Sequence, residues 1–241
     1  MNLILKRAGQ IIGDGGQFID IGAMSTRPGA IEISTEDEIQ RLIPAVKAVR
    51  REFPDSNISI DTYRSEIIQV VFDEIGGFIV NDISGGTFDP KMFETVARLQ
   101  LPYILMHTAG KSISMQYNTV YQDVVKDIVF FLSVQLQKLK LLGVSDVLID
   151  PGFGFGKTAA HNYELLNRLD SFKIFELPVL VGLSRKAMIW RELDITPDES
   201  LNGTTVLNTL ALIGGCDILR VHDVKEAVQT IGLFNKSKSI L

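Results

Sequence analysis

The sequence predicts an α/β protein in which parallel strands alternate with helices. Short runs rich in β-branched residues recur along the chain, and longer amphipathic stretches lie between them. Most of the short runs are apolar up to their last residues, which is typical of strands covered on both faces in a parallel sheet. The predicted strands are residues 18–22, 58–62, 78–83, 103–107, 147–150, 179–183 and 218–222.

The stretches between these strands carry helix signals. Residues 36–53 place apolar side chains on one helical face, and Ser34 or Thr35 precedes the acidic first turn as an N-cap. Glycines at 76–77, 143 and 214–215 stand where helices are expected to end. The other predicted helices are residues 3–13, 63–75, 90–99, 121–142, 162–169, 186–193 and 204–213.

Length and composition narrow the architecture and the class of function. The 241 residues contain no Pro/Ser-rich linker, so we expect one domain over residues 1–241. Two arrangements fit, a (β/α)₈ barrel and a doubly wound sheet, although the glycine fingerprint of the second is missing after the first strand. A net charge of −5 argues against a nucleic-acid partner. The lack of a long apolar run argues against a membrane protein, and the single cysteine, Cys216, favours a cytoplasmic location.

Polar residues follow the predicted strands at their carboxyl ends, where barrel enzymes build their active sites. The carboxylates and the amide among them suit a flat heterocycle with several N–H groups. The cations suit a phosphate. We therefore expect a substrate with a polar ring and a phosphorylated arm. The residues are Asp20, Asp61, Asn81, Asp82, His107, Asp150, Ser184, Arg185, Lys186, Arg220, His222 and Asp223.

A glycine-rich segment follows the fifth predicted strand. Residues 150–158 read Asp-Pro-Gly-Phe-Gly-Phe-Gly-Lys-Thr and end like a phosphate loop. That pattern requires glycine where this chain has Pro151, which also lacks an N–H for a phosphate. We interpret the segment as a rim loop whose backbone approaches a planar ligand. Phe153 and Phe155 either wall that pocket or pack in the core.

The ordered set of motifs resembles the dihydropteroate synthase family of folate biosynthesis. The resemblance implies a (β/α)₈ TIM barrel that is commonly a homodimer. It also implies the condensation of 6-hydroxymethyl-7,8-dihydropterin pyrophosphate with p-aminobenzoate to give 7,8-dihydropteroate and pyrophosphate. Mg²⁺ would be the cofactor, and sulfonamides would compete for the p-aminobenzoate site. The matching segments are residues 19–30, 59–62, 81–86, 105–107, 150–157, 182–186, 202–205 and 219–223.

Motif positions carry the family's roles over to this chain. Four residues would hold the pterin: Asp61, Asn81, Asp150 and Lys186. Arg220 and His222 would hold the pyrophosphate, with His222 as an anion ligand or as an acid. Thr26 and Arg27 would lie on the loop that helps complete the p-aminobenzoate site, and the backbone N–H of Ala187 would meet its carboxylate. Phe155 would belong to the substrate-binding residues. The expected catalytic residues are Asp61, Lys186, Arg220 and His222.

Two departures accompany the resemblance. The family's first strand and its loop, whose asparagine would ligate Mg²⁺, have no counterpart here. We therefore expect the barrel without strand 1 and assign no metal ligand. Residues 106–111 also differ from the Arg-Gly segment of many members. Two alternatives stay open: a pterin-binding methyltransferase-like barrel, which would not need Lys186, Arg220 and His222 for a pyrophosphate, and a non-catalytic pterin-binding protein.

Overall fold

The structure is a computed structural model and describes residues 1–24, 32–110 and 120–239. The seven strands in this part of the chain are all parallel to their neighbours. They confirm the seven predicted strands, mostly with shorter ends. The strands are β1 (Phe18–Ile21), β2 (Asn57–Asp61), β3 (Ile79–Asp82), β4 (Tyr103–Met106), β5 (Val147–Asp150), β6 (Leu180–Val181) and β7 (Ile218–Leu219).

Helices alternate with the strands. One of them, α9 (Val224–Lys238), was not predicted. Short 3₁₀ helices at Leu169–Phe175 and Pro197–Glu199 flank β6 and α8. The α-helices of the described ranges are α1 (Asn2–Gly13), α2 (Thr35–Glu52), α3 (Ser65–Ile75), α4 (Met92–Leu99), α5 (Val124–Leu141), α6 (Ala159–Asn167), α7 (Ala187–Trp190), α8 (Leu201–Gly214) and α9 (Val224–Lys238).

The strands follow one another in space in the order of the chain. β1 to β5 form one sheet, β6 pairs with β7, and a bridge between Ile149 and Val179 joins the two groups. This order, with helices between the strands, is that of a (β/α)₈ barrel. β1 and β7 stand at the two ends of the order. No strand pairing joins them within the described residues, but Arg220, which follows β7, donates hydrogen bonds to Asp20 and Asp61.

The core has two layers because successive strand residues point to opposite faces. Tyr103, Leu105 and Ile149 belong to the large cluster between the strands and the helices. Their neighbours Ile104 and Leu148 form a separate small cluster with a residue of β6, which fills the barrel interior. The barrel is therefore packed, and a ligand must bind at its rim.

Local signals in the sequence act as expected. The Ser34 hydroxyl accepts a hydrogen bond from the backbone N–H of Asp37 at 3.0 Å, so it is the N-cap of α2. Gly76 and Gly215 end α3 and α8, both at positive φ. Cys216 is buried. Across the described ranges, no helix has the length and apolar character needed to cross a membrane.

Candidate active site

One group of side chains connects the two ends of the strand order. We call Asp20, Ser59, Asp61, Asn81 and Arg220 the aspartate–arginine group. Arg220 Nε donates to Asp20 Oδ2 at 2.7 Å, and Nη2 reaches Asp61 Oδ2 at 3.1 Å. The Asn81 amide donates to Asp20 Oδ1 at 3.2 Å. Strand register brings these residues together, because Asp20 lies beside Ser59 and Asp61 beside Asn81.

Asp61 keeps unused hydrogen-bonding capacity within the described residues. Its Oδ1 is buried and has no hydrogen-bond partner in the described part of the chain. Burial, followed by the charge of Asp20, raises the pKa of Asp61 to about 7, against the opposing charge of Arg220. A buried acceptor without a partner costs free energy, and a ligand N–H can satisfy it. Asp61 is therefore suited to bind a polar heterocycle.

A second group lies on the other side of the rim. The glycine-rich loop, residues 151–157, follows β5, and Lys186 reaches back to it, with Nζ donating to the backbone oxygen of Phe153. Asp150 Oδ1 accepts from the backbone N–H of Gly152 at 2.7 Å. Burial raises the pKa of Asp150, which the charge of Lys186 opposes. Burial lowers the pKa of Lys186 to about 8, although the negative charge of Asp150 acts to raise it.

The glycine-rich loop is held from within by Lys157. Its ammonium donates to the backbone oxygens of Gly152 at 2.7 Å and Phe155 at 3.1 Å, and it lies 3.0 Å from His107 Nδ1. Burial lowers the pKa of Lys157 to about 7. Burial and the charge of Lys157 lower the pKa of His107 to about 2, so the neutral ring can accept a hydrogen bond from the ammonium. Lys157 therefore serves the loop itself, in agreement with our rejection of a phosphate loop.

Gly152 allows the glycine-rich loop to lie against β4. Its φ is +72°, and a Cβ at this position would lie 1.8 Å from the backbone oxygen of His107. Any side chain would force the loop and the end of β4 apart. The close approach places Asp150 and the loop beside Lys186.

Lys186 and Arg220 lie near each other at the end of β6. A Cβ on Gly182 would lie 3.8 Å from Arg220 Cβ and 4.0 Å from Lys186 Nζ. Arg220 also lowers the pKa of Lys186 by charge repulsion. The two groups therefore form one site, with acceptors on both sides and cations at the centre.

The loops after β6 and β7 are joined by a second arginine. The Arg185 guanidinium makes two hydrogen bonds with the Asp223 carboxylate, at 3.0 and 2.7 Å. His222 Nδ1 lies 3.0 Å from the Ser184 hydroxyl. These contacts place His222 beside the loop that carries Lys186.

The remaining predicted residues have mixed outcomes. Phe155 lies on the glycine-rich loop with its ring centroid 5.0 Å from Lys186 Nζ, whereas Phe153 is buried in the core. Ala187 begins α7, where backbone N–H groups have no partner within the helix. Thr26 and Arg27 lie outside the described residues. The structure thus brings together Asp61, Asn81, Asp150, Phe155, Lys186, Arg220 and His222.

Four residues of the site had no predicted role. Asp20 and His107 were visible only as polar strand ends, and Ser59 and Lys157 only as members of the motif segments 59–62 and 150–157. The signal for Lys157 was a cation at the end of a glycine-rich loop that cannot be a phosphate loop. The partners of these residues depend on strand register and loop conformation, which sequence spacing does not fix.

Known proteins resemble this chain over most of its length. A family profile described as "Pterin binding enzyme" matches residues 1–222. Dihydropteroate synthase of Escherichia coli K12 is 42% identical over 229 residues, covering 94% of this chain and 80% of that protein.

Solved structures agree with this sequence similarity. Yersinia pestis dihydropteroate synthase in a sulfonamide drug complex superposes with a TM-score of 0.93 at 37% identity, covering 98% of this chain and 85% of that one. Xanthomonas albilineans dihydropteroate synthase with 4-aminobenzoic acid superposes with a TM-score of 0.90 at 31% identity, covering 97% of this chain and 84% of that one. The chain therefore belongs to the pterin-binding enzyme family, among its dihydropteroate synthases.

Proposed function

We propose that this chain condenses 6-hydroxymethyl-7,8-dihydropterin pyrophosphate with p-aminobenzoate to form 7,8-dihydropteroate and pyrophosphate. The observation that carries the proposal is the buried Asp61 Oδ1, which has no hydrogen-bond partner among the described residues and lies next to the Arg220 guanidinium. An acceptor for ring N–H groups beside a cation for phosphate matches a pterin with a pyrophosphate arm. The family membership of the chain supports the same reaction.

The pterin binds between the two groups of the rim. Asp61 and Asp150 accept hydrogen bonds from its N–H groups, Asn81 adds an acceptor and Lys186 a donor. The carboxylates also favour the positive charge that the pterin gains as pyrophosphate departs. Electrostatic stabilisation of developing charge usually contributes more to such catalysis than any other effect.

The reaction exchanges one bond for another at the pterin methylene carbon. Its bond to the pyrophosphate oxygen breaks, and that oxygen takes the electron pair. The amine nitrogen of p-aminobenzoate bonds to the same carbon and then loses one proton. Arg220 and His222 stabilise the departing anion, His222 either as a ligand or as an acid.

The p-aminobenzoate binds on the side of Lys186 and α7. Phe155 lines this side, and the backbone N–H of Ala187 receives the carboxylate. We also assign Thr26 and Arg27 to this substrate. Sulfonamides compete at the same place.

We propose that Mg²⁺ enters together with the pyrophosphate. Within the described residues, no group of three or more His, Cys, Asp or Glu side chains could hold a metal ion. The Asp20 and Asp61 carboxylates already share Arg220. Mg²⁺ in phosphate-transfer sites takes many of its ligands from substrate phosphates and water, and it would neutralise charge on the pyrophosphate. We assign no residue of this chain as its ligand.

The test of this proposal is pyrophosphate release from dihydropterin pyrophosphate and Mg²⁺, with and without p-aminobenzoate. Release that depends on p-aminobenzoate is the expected result. Binding of dihydropterin pyrophosphate without release would instead support a non-catalytic pterin-binding protein. A methyltransferase-like barrel is disfavoured, because the relatives reported above are synthases.

We also propose that the protein is a cytoplasmic homodimer that pairs through α8 and α9. Val206, Leu210 and Ile213 form an exposed apolar stripe on α8, and Leu233 on α9 is 76% exposed. Contiguous exposed apolar surface of this kind is typical of an interface. Light scattering of the purified protein should give twice the chain mass, and Leu210→Lys should give the monomer.

A further inference from the structure

The Asp20 carboxylate accepts hydrogen bonds from three side chains of the protein. Its Oδ1 accepts from the Ser59 hydroxyl at 2.5 Å and from the Asn81 amide at 3.2 Å. Its Oδ2 accepts from Arg220 Nε at 2.7 Å, with Nη2 of the same guanidinium at 2.6 Å. Protein donors thus occupy both carboxylate oxygens, whereas Asp61 keeps one oxygen without a partner among the described residues.

We propose that Asp20 is a positioning residue that fixes the Asn81 amide and the Arg220 guanidinium for the two parts of the pterin pyrophosphate. This inference rests on the proposed function. Asp20 acts through its partners, since its own oxygens face protein donors.

For Asn81, Asp20 decides which end of the amide faces the ligand. An ionised carboxylate only accepts hydrogen bonds, so the amide must turn its NH₂ towards Asp20. The Asn81 oxygen is then presented away from Asp20 as an acceptor. An asparagine at position 20 could both donate and accept, and the amide of Asn81 would lose this preference.

For Arg220, Asp20 fixes one edge of the guanidinium. The Nε and Nη2 groups are used by Asp20 and Asp61. Nη1 donates no hydrogen bond within the described part of the chain, so this group remains available to a phosphate oxygen. Anchoring one edge of a planar guanidinium orients the other, which reduces the entropy lost when the anion binds.

Asp20 also acts on Asp61 through charge. The charged groups that face Asp61 are Asp20 on β1, Arg220 after β7, Asp82 on β3 and Glu38 on α2. Among these, Asp20 has the largest effect, and it raises the pKa of Asp61. Removing the charge of Asp20 would lower the pKa of Asp61. Asp61 would then be the carboxylate of this group that still pairs with Arg220.

The test compares Asp20→Asn with the wild type and with Asp146→Asn, a control at an exposed position before β5. Calorimetry measures the binding of dihydropterin pyrophosphate without p-aminobenzoate. Steady-state kinetics give KM for each substrate and the pH profile of kcat/KM, and thermal unfolding reports stability.

We expect Asp20→Asn to weaken binding of dihydropterin pyrophosphate at least ~10-fold. The KM for p-aminobenzoate should change less than ~2-fold. In the pH profile of kcat/KM, the inflection near the pKa of Asp61 should move to lower pH. The control should match the wild type. If the wild type binds dihydropterin pyrophosphate but does not turn it over, the proposed function is refuted. The affinities of Asp20→Asn and the wild type for dihydropterin pyrophosphate then still test the role of Asp20.

Three results would overturn the role of Asp20. One is unchanged binding and an unmoved inflection in Asp20→Asn. Another is an equal loss for both substrates with lower stability and an unmoved inflection, which would show a merely structural role. The third is a wild type that does not bind dihydropterin pyrophosphate, which would refute both this role and the proposed function.

Discussion

The two halves of the rim are built by different means. The aspartate–arginine group consists of side chains on neighbouring strands, and strand register sets their distances. The glycine-rich loop consists of backbone that Gly152 allows close to β4 and that Lys157 holds from within. Lys186 contacts the loop half and lies near Arg220 of the other half.

This difference separates two kinds of sensitivity. Substitutions in the aspartate–arginine group change charge and hydrogen bonding while the strands keep their positions. Substitutions in the glycine-rich loop change the path of the backbone and so displace several groups at once. Three substitutions test this contrast in order of decreasing effect, and a fourth tests the pH dependence of stability.

Substitution at Lys186 should have the largest effect because it lies between the two halves. We expect Lys186→Ala to lower kcat/KM at least ~100-fold, which corresponds to ~2.7 kcal/mol. Pyrophosphate release dependent on p-aminobenzoate measures this. Lys225→Ala, at an exposed position of α9, is the control. A loss under ~3-fold would remove Lys186 from the site.

Two glycines with nearly the same φ test the loop half. Gly152 has φ +72° and a Cβ position 1.8 Å from an oxygen of His107, whereas Gly76 has φ +71° and nothing within 4 Å. Gly76→Ala should cost about 1–3 kcal/mol of unfolding free energy from its backbone conformation alone, φ +71° with ψ −145°. Gly152→Ala should cost about 1–3 kcal/mol more from overpacking. Urea unfolding compares them, and equal costs would contradict the close approach.

Arg220→Lys tests the aspartate–arginine half. The lysine keeps the positive charge but cannot bind Asp20 along one edge and phosphate along the other. We expect inhibition by inorganic pyrophosphate to weaken about 10-fold, or ~1.4 kcal/mol. Arg51→Lys, at an exposed position of α2, should show no change. Unaltered inhibition in Arg220→Lys would argue against a fixed guanidinium.

The fourth substitution concerns the pH dependence of stability. The pKa of Asp61 rises from 3.8 to about 7 on folding, so between these values the folded state binds more protons than the unfolded chain. The unfolding free energy of the wild type therefore falls as pH rises through that interval. Melting of Asp61→Asn relative to the wild type should shift in favour of the variant from pH ~4 to ~7. Asp146→Asn is the control, and a constant difference across this range would contradict the raised pKa.

The strands were predictable because burial on both faces leaves continuous apolar runs. The strand-end residues were predictable because parallel strands direct their carboxyl ends to one rim. The amphipathic α2 also followed from its periodicity and its Ser34 cap. By contrast, α9 was missed.

The parts of the site that were missed depend on contacts between distant segments. Asp20 acquires its importance only when Arg220 arrives from beyond β7. Lys157 turns inward because Gly152 adopts positive φ and the loop lies against His107. The residue types alone showed that these positions carry polar side chains, but they did not show the hydrogen-bond partners of those side chains.

The link between Asp20 and Arg220 has a consequence for the order of events during synthesis. The two residues are 200 positions apart in the chain. Closing so long a segment is entropically costly, and such non-local contacts slow folding. Arg220 must also be synthesised and leave the ribosome before it can reach β1. We therefore expect the pyrophosphate side of the site to form only in chains that have been translated through Arg220, so shorter nascent chains would have no synthase activity.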